Sequence, residues 1–247
     1  MKRIEVLIGS LLISTLTYAK DVKVIPYPAN LNITLDGAAS APKEINHKHS
    51  AYFKTPDVYK LKSNKNLTIL PHYPTYQQTT EYSCGPASAL TVLWYHNYQD
   101  VLETDLSEKM HTSSEKGTNV KGMADYFRNI GWNVQTNGRE KTFDTYENFA
   151  DFVIQQLKSK HPILVANVVW GGHWRVLIGY DTMGTESNLD DILIFAEPYD
   201  TADHNQDGYS FENGQKFYWS WFVHDVFPKE ERIQPFVIAY PKDTTNF

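Results

Sequence analysis

Residues 78–88 read QTTEYSCGPAS, and this stretch carries the main clue to how the chain folds. Gly85 and Pro86 indicate a turn that enters a helix, because proline is favoured in the first helical turn. Cys84 is therefore expected at a helix N-terminus, where free N–H groups and the helix dipole stabilise an anion. Because the thiolate is the reactive form of cysteine, this position suits covalent catalysis. The alternative is a small buried hydrophobic residue.

The composition indicates a folded chain with an acidic balance. Of the 247 residues, 41% are hydrophobic, 21% are charged and 14% are aromatic. These proportions exclude a disordered chain, which has few aromatic residues and much charge. The formal net charge is -6, whereas a nucleic-acid binder needs a basic face. We therefore expect no nucleic-acid partner, and the sequence predicts no particular oligomeric state.

The first 19 residues have the layout of a secretory signal peptide. Lys2 and Arg3 precede an apolar stretch over 6–16, and the small residue Ala19 ends a plausible cleavage site. The stretch is too short to span a bilayer, which takes about 20 apolar residues. Its alternative is a buried N-terminal helix. We expect no membrane span and export to the periplasm or the extracellular space. Cys84 is the only cysteine, so in that oxidising space it has no internal disulfide partner.

The rest of the chain divides into two parts. Residues 20–69 contain several prolines and little periodicity, which indicates an extended N-terminal arm, and residues 70–247 are expected to form the main domain. Helices are predicted from apolar spacing and end signals over 86–98, 104–111, 119–130 and 144–160. Strands are predicted over 163–170, 173–180, 191–196, 216–222 and 235–240. Helices followed by strands predict an α+β domain.

Two further residues complete a candidate site with Cys84. His173 begins an apolar strand after Gly171 and Gly172, which allow another backbone to approach closely and are expected to line a cleft. His173 is the candidate general base, or an ordinary strand-end histidine. Gln78 lies six residues before Cys84, and its side chain could hold an oxyanion together with the Cys84 N–H. The alternative for Gln78 is an exposed loop residue.

These elements together resemble a known family. Gln78, the stretch 84–87 (CGPA) and the stretch 172–181 (GHWRVLIGYD), in this order, are similar to the papain-like cysteine peptidases of the bacteriocin-leader-processing type, peptidase family C39. The resemblance covers about residues 70–240. It implies a papain-like fold, in which the cysteine-bearing helix packs on an antiparallel sheet that carries the histidine. It also implies a peptide or protein substrate, no required cofactor, Cys84 as nucleophile, His173 as general base and acid, and Gln78 in the oxyanion site.

The third catalytic position departs from the family. The family has Asp-Pro after the next strand, whereas this chain has Glu197-Pro198. A glutamate can hold the second imidazole nitrogen as an aspartate does, but it is one methylene longer. We expect Glu197 to orient His173, with Asp200 as the alternative.

A second motif follows directly. Asp203, Asn205, Asp207 and Gly208 match the first half of a calcium loop, with oxygen ligands at alternate positions. The twelfth position is Gly214, where such loops have a bidentate glutamate. The segment is thus either a calcium site or a polar hairpin loop whose side chains bond to their own backbone.

The leading hypothesis is an exported cysteine peptidase that hydrolyses peptide bonds through a Cys84 thioester. One alternative is an acyl transferase or amidase with the same Cys–His chemistry. Another is a catalytically silent papain-like module that only binds peptides, suggested by the glutamate at position 197. A further alternative is a calcium-stabilised interaction protein. The sequence leaves the substrate open.

Overall fold

The computed structural model describes residues 22–31, 37–40, 56–137, 142–201 and 205–242. The predicted signal peptide lies outside these ranges. The helices are α1 (Cys84–Tyr95), α2 (Glu103–Lys109), α3 (Val120–Asn129), α4 (Tyr146–Lys158) and α5 (Gly214–Trp219). The strands are β1 (Leu67–Ile69), β2 (Asn133–Thr136), β3 (Ile163–Asn167), β4 (His173–Asp181), β5 (Ile192–Ala196), β6 (Tyr209–Asn213) and β7 (Phe236–Tyr240).

Within the described part of the chain, the seven strands form one antiparallel sheet. Six of them lie in the order β2-β7-β3-β4-β5-β6, and β1 pairs with the end of β4, with Leu67 opposite Asp181. The β3–β4 pairing places Asn167 opposite His173. β4 is thus flanked by strands on both sides, and its first residue is the candidate catalytic histidine.

Helix α1 lies in the core and brings Cys84 to the beginning of β4. All of its residues from Cys84 to Leu93 are buried. A side-chain carbon at Gly85 would lie 2.6 Å from Thr118 Oγ1, so only glycine permits this close packing. Ser88 Oγ donates to the backbone oxygen of Trp174 at 3.2 Å. The bond to Trp174 joins the beginning of α1 to the strand that carries His173, and the contact with Thr118 packs it on the segment before α3.

Four of the predicted helices occur close to their expected positions, and their ends follow the expected chemistry. The side chain of Asn119 caps α3 by accepting from the Gly122 N–H at 2.8 Å. That helix ends before Gly131, whose φ of 84° is the left-handed conformation typical of a helix end. Thr145 caps α4 by accepting from the Asn148 N–H at 3.2 Å. The predicted strands near β3, β4, β5 and β7 are also confirmed.

The predicted strand over 216–222 is wrong, because residues 214–219 form helix α5. The Asn213 side chain accepts from the Lys216 N–H at 3.0 Å, which satisfies a free donor of the first helical turn. Phe217, Tyr218 and Trp221 are buried, whereas Trp219 is exposed. This spacing fits one face of a helix rather than the alternation of a strand.

The described parts of the N-terminal arm pack on the segment that leads to Cys84. The Ile25 N–H donates to Thr75 O at 2.9 Å, and the Ala39 N–H donates to Gln78 O at 3.0 Å. Ile25 and Ala38 are buried in this contact. The end of the predicted arm also supplies β1 to the sheet. The boundary between arm and main domain stays a prediction.

Candidate active site

The structure brings Cys84 and His173 together. Cys84 is the first residue of α1, so its backbone N–H has no partner within the helix. His173 is the first residue of β4 and is buried, and the neighbouring Cys84 side chain is one of the groups that raise the pKa of its imidazole. The two residues therefore have the arrangement of a nucleophile beside its base.

Glu197 lies on the other side of the imidazole. Its Oε1 contacts His173 Nε2 and also accepts from the Tyr199 N–H at 3.1 Å. With Nε2 engaged by the carboxylate, Nδ1 is the ring nitrogen left for the thiol. Asp200 turns toward the following loop, where its Oδ2 accepts from the Gly208 N–H at 2.8 Å. Glu197 is thus the carboxylate that contacts the histidine, despite its extra methylene.

Their surroundings favour the charged forms of both His173 and Glu197. Burial by itself lowers the pKa of His173, but the Glu197 charge and the hydrogen bonds to Cys84 and Glu197 raise that pKa to about 9. Burial raises the pKa of Glu197, and the charges of His173 and Arg175 with the local hydrogen bonds lower it overall. The imidazolium and the carboxylate therefore stabilise each other across the neutral pH range.

Arg175 and Glu212 extend this row of charges, and the sequence analysis did not identify either. Arg175 Nη2 donates to Glu212 Oε2 at 2.7 Å, and its Nε lies 3.7 Å from Glu197 Oε2. The guanidinium carbon of this buried arginine lies 4.0 Å from the centre of the Phe195 ring. The signal in the sequence was an arginine inside an otherwise apolar strand, because a buried charge requires a partner.

Gln78 is buried in the loop before α1. Its Nε2 donates to Thr80 O at 2.7 Å, and Ser83 Oγ donates to the same carbonyl at 3.2 Å. Ser83 is the residue immediately before the helix, so the Gln78 amide shares an acceptor with the helix cap. A primary amide has two N–H groups, and this bond engages one of them.

Gly171 and Gly172 both have left-handed backbone conformations, with φ of 84° and 139°. A side chain at Gly171 would meet open space, whereas one at Gly172 would lie 3.0 Å from Val226. Trp170 precedes them with 68% of its surface exposed, and its ring centre lies 5.6 Å from that of Tyr199. An aromatic rim therefore lies beside His173, next to the two glycines.

A polar cleft of about 380 Å³ lies close to the same site. Lys116 and Gly117 line one wall, and Val226 and Arg232 line another. Val226 contacts Gly172, and Gly117 lies near the backbone of Tyr82, two residues before Cys84. The cleft thus adjoins the chain next to both Cys84 and His173.

Asn167 is a third residue that could not be recognised from the sequence. It is fully buried and lies opposite His173 in the β3–β4 pairing. Among the residues that the structure describes, none hydrogen-bonds to either polar atom of its side chain. An apolar run over 163–170 with a single asparagine was the available signal. Buried amides without partners are rare, which sets this one apart.

The expected calcium loop is described only in part. Asp203 lies outside the described residues. Asp207 Oδ1 accepts from the Tyr209 N–H at 3.2 Å, and its backbone oxygen accepts from Thr75 Oγ1 at 3.0 Å. In the described ranges, no three His, Cys, Asp or Glu side chains group in a way that could hold a metal ion. Calcium binding stays a prediction that depends on Asp203.

These observations define a papain-like fold, with the cysteine at the N-terminus of a central helix and the histidine on an antiparallel sheet. Residues 71–224 match the model of the Peptidase C39 like family. The match spans more than half of the chain, and the chain belongs to this family.

Several solved structures are similar to this chain at low sequence identity. The peptidase domain of Streptococcus ComA, a bi-functional ABC transporter involved in quorum sensing, is 18% identical with a TM-score of 0.47, covering 69% of this chain and all of that domain. A double glycine motif protease from an AMS/PCAT transporter, solved with its leader peptide, is 17% identical with a TM-score of 0.43, covering 68% and 91%. UfSP from C. elegans is 9% identical with a TM-score of 0.45, covering 74% and 35%. A search of curated proteins found no match.

In the part of the chain that the structure describes, none of the helices has the length and apolar character that a membrane span requires.

Proposed function

We propose that this protein is a cysteine peptidase that hydrolyses peptide bonds through a thioester on Cys84. The observation that supports this most strongly is the His173 imidazole, which lies buried between the Cys84 side chain and the Glu197 carboxylate. Burial alone would keep the imidazole neutral, so the raised pKa of His173 reflects its two partners. A charged imidazole beside a thiol is the setting in which cysteine acts as a nucleophile.

In the first step, the Cys84 sulfur attacks the carbonyl carbon of the peptide bond and a C–S bond forms. The carbonyl oxygen becomes an oxyanion. The free N–H of Cys84 at the beginning of α1 and the remaining N–H of Gln78 Nε2 are the donors that would hold it. The loss of one such donor usually lowers kcat by about 10²–10³-fold.

In the second step, the C–N bond breaks and His173 donates its proton to the leaving amine. The neutral imidazole then takes a proton from water as the water attacks the thioester. The C–S bond breaks, the acid product leaves, and the thiolate and imidazolium are restored. Throughout these steps, the Glu197 carboxylate holds His173 Nε2 and fixes the ring orientation.

Two alternatives use the same site differently. An amine could replace water as the acceptor of the acyl group, and product analysis with added amines separates transfer from hydrolysis. A silent peptide-binding module was suggested by the glutamate at position 197. The contact between that glutamate and His173 removes the main reason for this alternative.

Export is a separate part of the proposal and rests on residues 1–19. If these residues form a signal peptide, the exported protein begins at Lys20. N-terminal sequencing of protein recovered outside the cytoplasm tests this. An N-terminus that keeps the first 19 residues would contradict it.

The proposed function is tested first by the alkylation of Cys84 at different pH values. Cys84 is the only thiol in the chain, so the rate reports this residue alone. We expect rapid alkylation well below pH 8 in the wild type, and a slower rate with a shifted pH profile in His173→Ala. Peptide hydrolysis should vanish in Cys84→Ala.

The control is His161→Ala, which removes a histidine that stacks on Tyr240 away from Cys84. It should leave the alkylation profile unchanged. A slow wild-type rate that rises only near the ordinary thiol pKa and ignores His173→Ala would indicate an inert site and favour the binding module.

A further inference from the structure

The side chain of Gln77 joins two segments of the site. Its Nε2 donates to the backbone oxygen of Glu197 at 2.8 Å, and its Oε1 accepts from the Asp200 N–H at 3.0 Å. Next to it, the Gln78 N–H donates to Pro198 O at 2.8 Å. The turn over 197–200 is therefore bound at both ends by one side chain, from the segment that carries the oxyanion residue Gln78.

This turn sets the position of the Glu197 carboxylate. The Glu197 side chain folds back to accept from the Tyr199 N–H, and the Glu197 N–H donates to Gly208 O at 2.8 Å. In this conformation of the turn, the same Glu197 Oε1 that accepts from the Tyr199 N–H also contacts His173 Nε2. Glutamate has one more rotatable bond than aspartate, so its backbone must be held more firmly to present the carboxylate at one place.

We propose that Gln77 is a positioning residue, which holds the Glu197 carboxylate against His173 and fixes it relative to the oxyanion segment. This inference rests on the proposed function of the site. It assigns a role to a side chain whose two hydrogen bonds go to the backbone of Glu197 and of Asp200, rather than to the thiol or the imidazole. Its effect on the reaction therefore passes through Glu197.

The surroundings of His173 make this role measurable. The titratable and charged groups that face the imidazole are Cys84 from α1 and Glu197 after β5. Arg175 from β4 faces the same carboxylate, and Glu212 from β6 pairs with that arginine. If the carboxylate moves away from Nε2, His173 loses its strongest electrostatic support, and its pKa falls.

The experiment measures the titration of His173 in Gln77→Met, which keeps the side-chain length and removes both hydrogen bonds. NMR of the full chain follows the imidazole signal, which is identified by its loss in His173→Ala. We expect the pKa of His173 to fall by about one pH unit in Gln77→Met, since one hydrogen bond contributes about 1 kcal/mol and one unit corresponds to about 1.4 kcal/mol. In Gln77→Glu, which keeps the acceptor and loses the donor, the fall should be smaller.

The matched control is Gln234→Met. Gln234 is also a glutamine that binds backbone groups at both ends of its amide, but these belong to Thr142 and Phe143. Its loss should lower the stability and leave the His173 titration unchanged.

Kinetics give a second readout of the role of Gln77. In Gln77→Met, kcat for a peptide should fall by about tenfold with little change in KM, because a misplaced base slows the chemical step.

The outcomes separate this inference from the proposed function. A raised wild-type pKa that is unchanged in Gln77→Met overturns the role of Gln77 and leaves the peptidase proposal intact. A wild-type His173 that titrates near 6.5, together with alkylation that ignores His173→Ala, overturns both. An equal fall in Gln77→Met and Gln234→Met would show a general loss of structure and would also overturn the specific role.

Discussion

At the scale of single residues, the site contains a row of buried side chains whose charges alternate in sign. Glu197 lies between the imidazole of His173 and the guanidinium of Arg175, and Glu212 lies beyond the arginine. A buried ion without a partner is costly, so each member of this row depends on its neighbours. The glutamate at position 197 thus does two things: it orients the histidine and it compensates a buried arginine.

The raised pKa of His173 predicts a pH dependence of stability. A group with a raised pKa in the folded state stabilises the protein fully below its ordinary pKa of 6.5, and this contribution is lost as the pH rises through about 9. The free energy of unfolding should therefore fall by roughly 3 kcal/mol over this range in the wild type. In Glu197→Gln, most of this fall should disappear. Urea denaturation at several pH values measures the difference, and equal slopes in both proteins would contradict it.

Asn167 carries a second prediction at this scale. An amide that is buried without a partner destabilises the fold, and an apolar side chain of similar size removes that cost. Asn167→Leu should therefore raise the free energy of unfolding by about 1–3 kcal/mol. Asn167→Ala is the control, since it also removes the amide but leaves a cavity, and it should gain less. A lower thermal midpoint in Asn167→Leu would show that the amide is satisfied after all.

Among the structural elements, the N-terminal arm packs on the loop that carries the oxyanion residue Gln78. The loop over 78–80 lies against Gly37: a side-chain carbon there would lie 2.4 Å from the Thr80 nitrogen and 2.5 Å from Gln78 O. Ala38 O accepts from Gln206 Nε2 at 2.9 Å, which fixes the arm from the other side. This part of the arm lies before the family match over 71–224, yet it packs directly on the oxyanion loop.

Gly37→Val should therefore affect the oxyanion loop selectively. The side chain cannot fit without moving backbone atoms, and such overpacking costs about 1–3 kcal/mol. Peptide hydrolysis should fall by about tenfold or more as Gln78 shifts, whereas alkylation of Cys84 should stay normal because the Cys84–His173 pair is untouched. Gly131→Ala, which strains a helix end where a side chain meets open space, is the control. Slower alkylation in Gly37→Val would contradict this separation.

The elements also show what the sequence could predict. Helices α1 to α4 and strands β3, β4, β5 and β7 have strong apolar spacing or clear end signals, and their positions were predicted. Strands β1, β2 and β6 were not predicted. Strand β1 has only three residues, β2 has no buried residue, and only the first residue of β6 is buried, so their sequences lack a clear apolar pattern. Helix α5 was mistaken for a strand because its aromatic residues suggest β structure, whereas the Asn213 cap and tertiary packing decide otherwise.

The candidate site, too, could be predicted only in part from the sequence. Cys84, His173, Gln78 and Glu197 were found because motifs in one stretch of sequence mark each of them. Arg175 lies within the stretch 172–181, but nothing in that stretch indicates its partners. Arg175, Glu212 and Gln77 contact residues far away in the chain. Asn167 has no motif, and the β3–β4 pairing alone places it opposite His173. Three-dimensional proximity of this kind cannot be derived from a single sequence.

The whole molecule assembles the site from its two halves. The helical half supplies Cys84 on α1, and the sheet supplies His173 on β4 and Glu197 after β5. Neither half contains a complete set of catalytic groups. The reaction therefore requires the packing of α1 on β4, which the close approach of Gly85 to the Trp174 ring and the bond from Ser88 to Trp174 maintain.

The burial of His173, Arg175 and Glu197 affects how the activity should depend on the salt concentration. Dissolved ions weaken attractions between exposed charges, but they do not enter a site whose His173, Arg175 and Glu197 are shielded from solvent. With an uncharged peptide, kcat/KM should change less than about twofold between 0.1 M and 1 M salt, where the Debye length falls from about 10 Å to about 3 Å. A steep decline would contradict this. The active site thus maintains its own ionic environment, so its chemistry should proceed equally well in dilute and in saline surroundings.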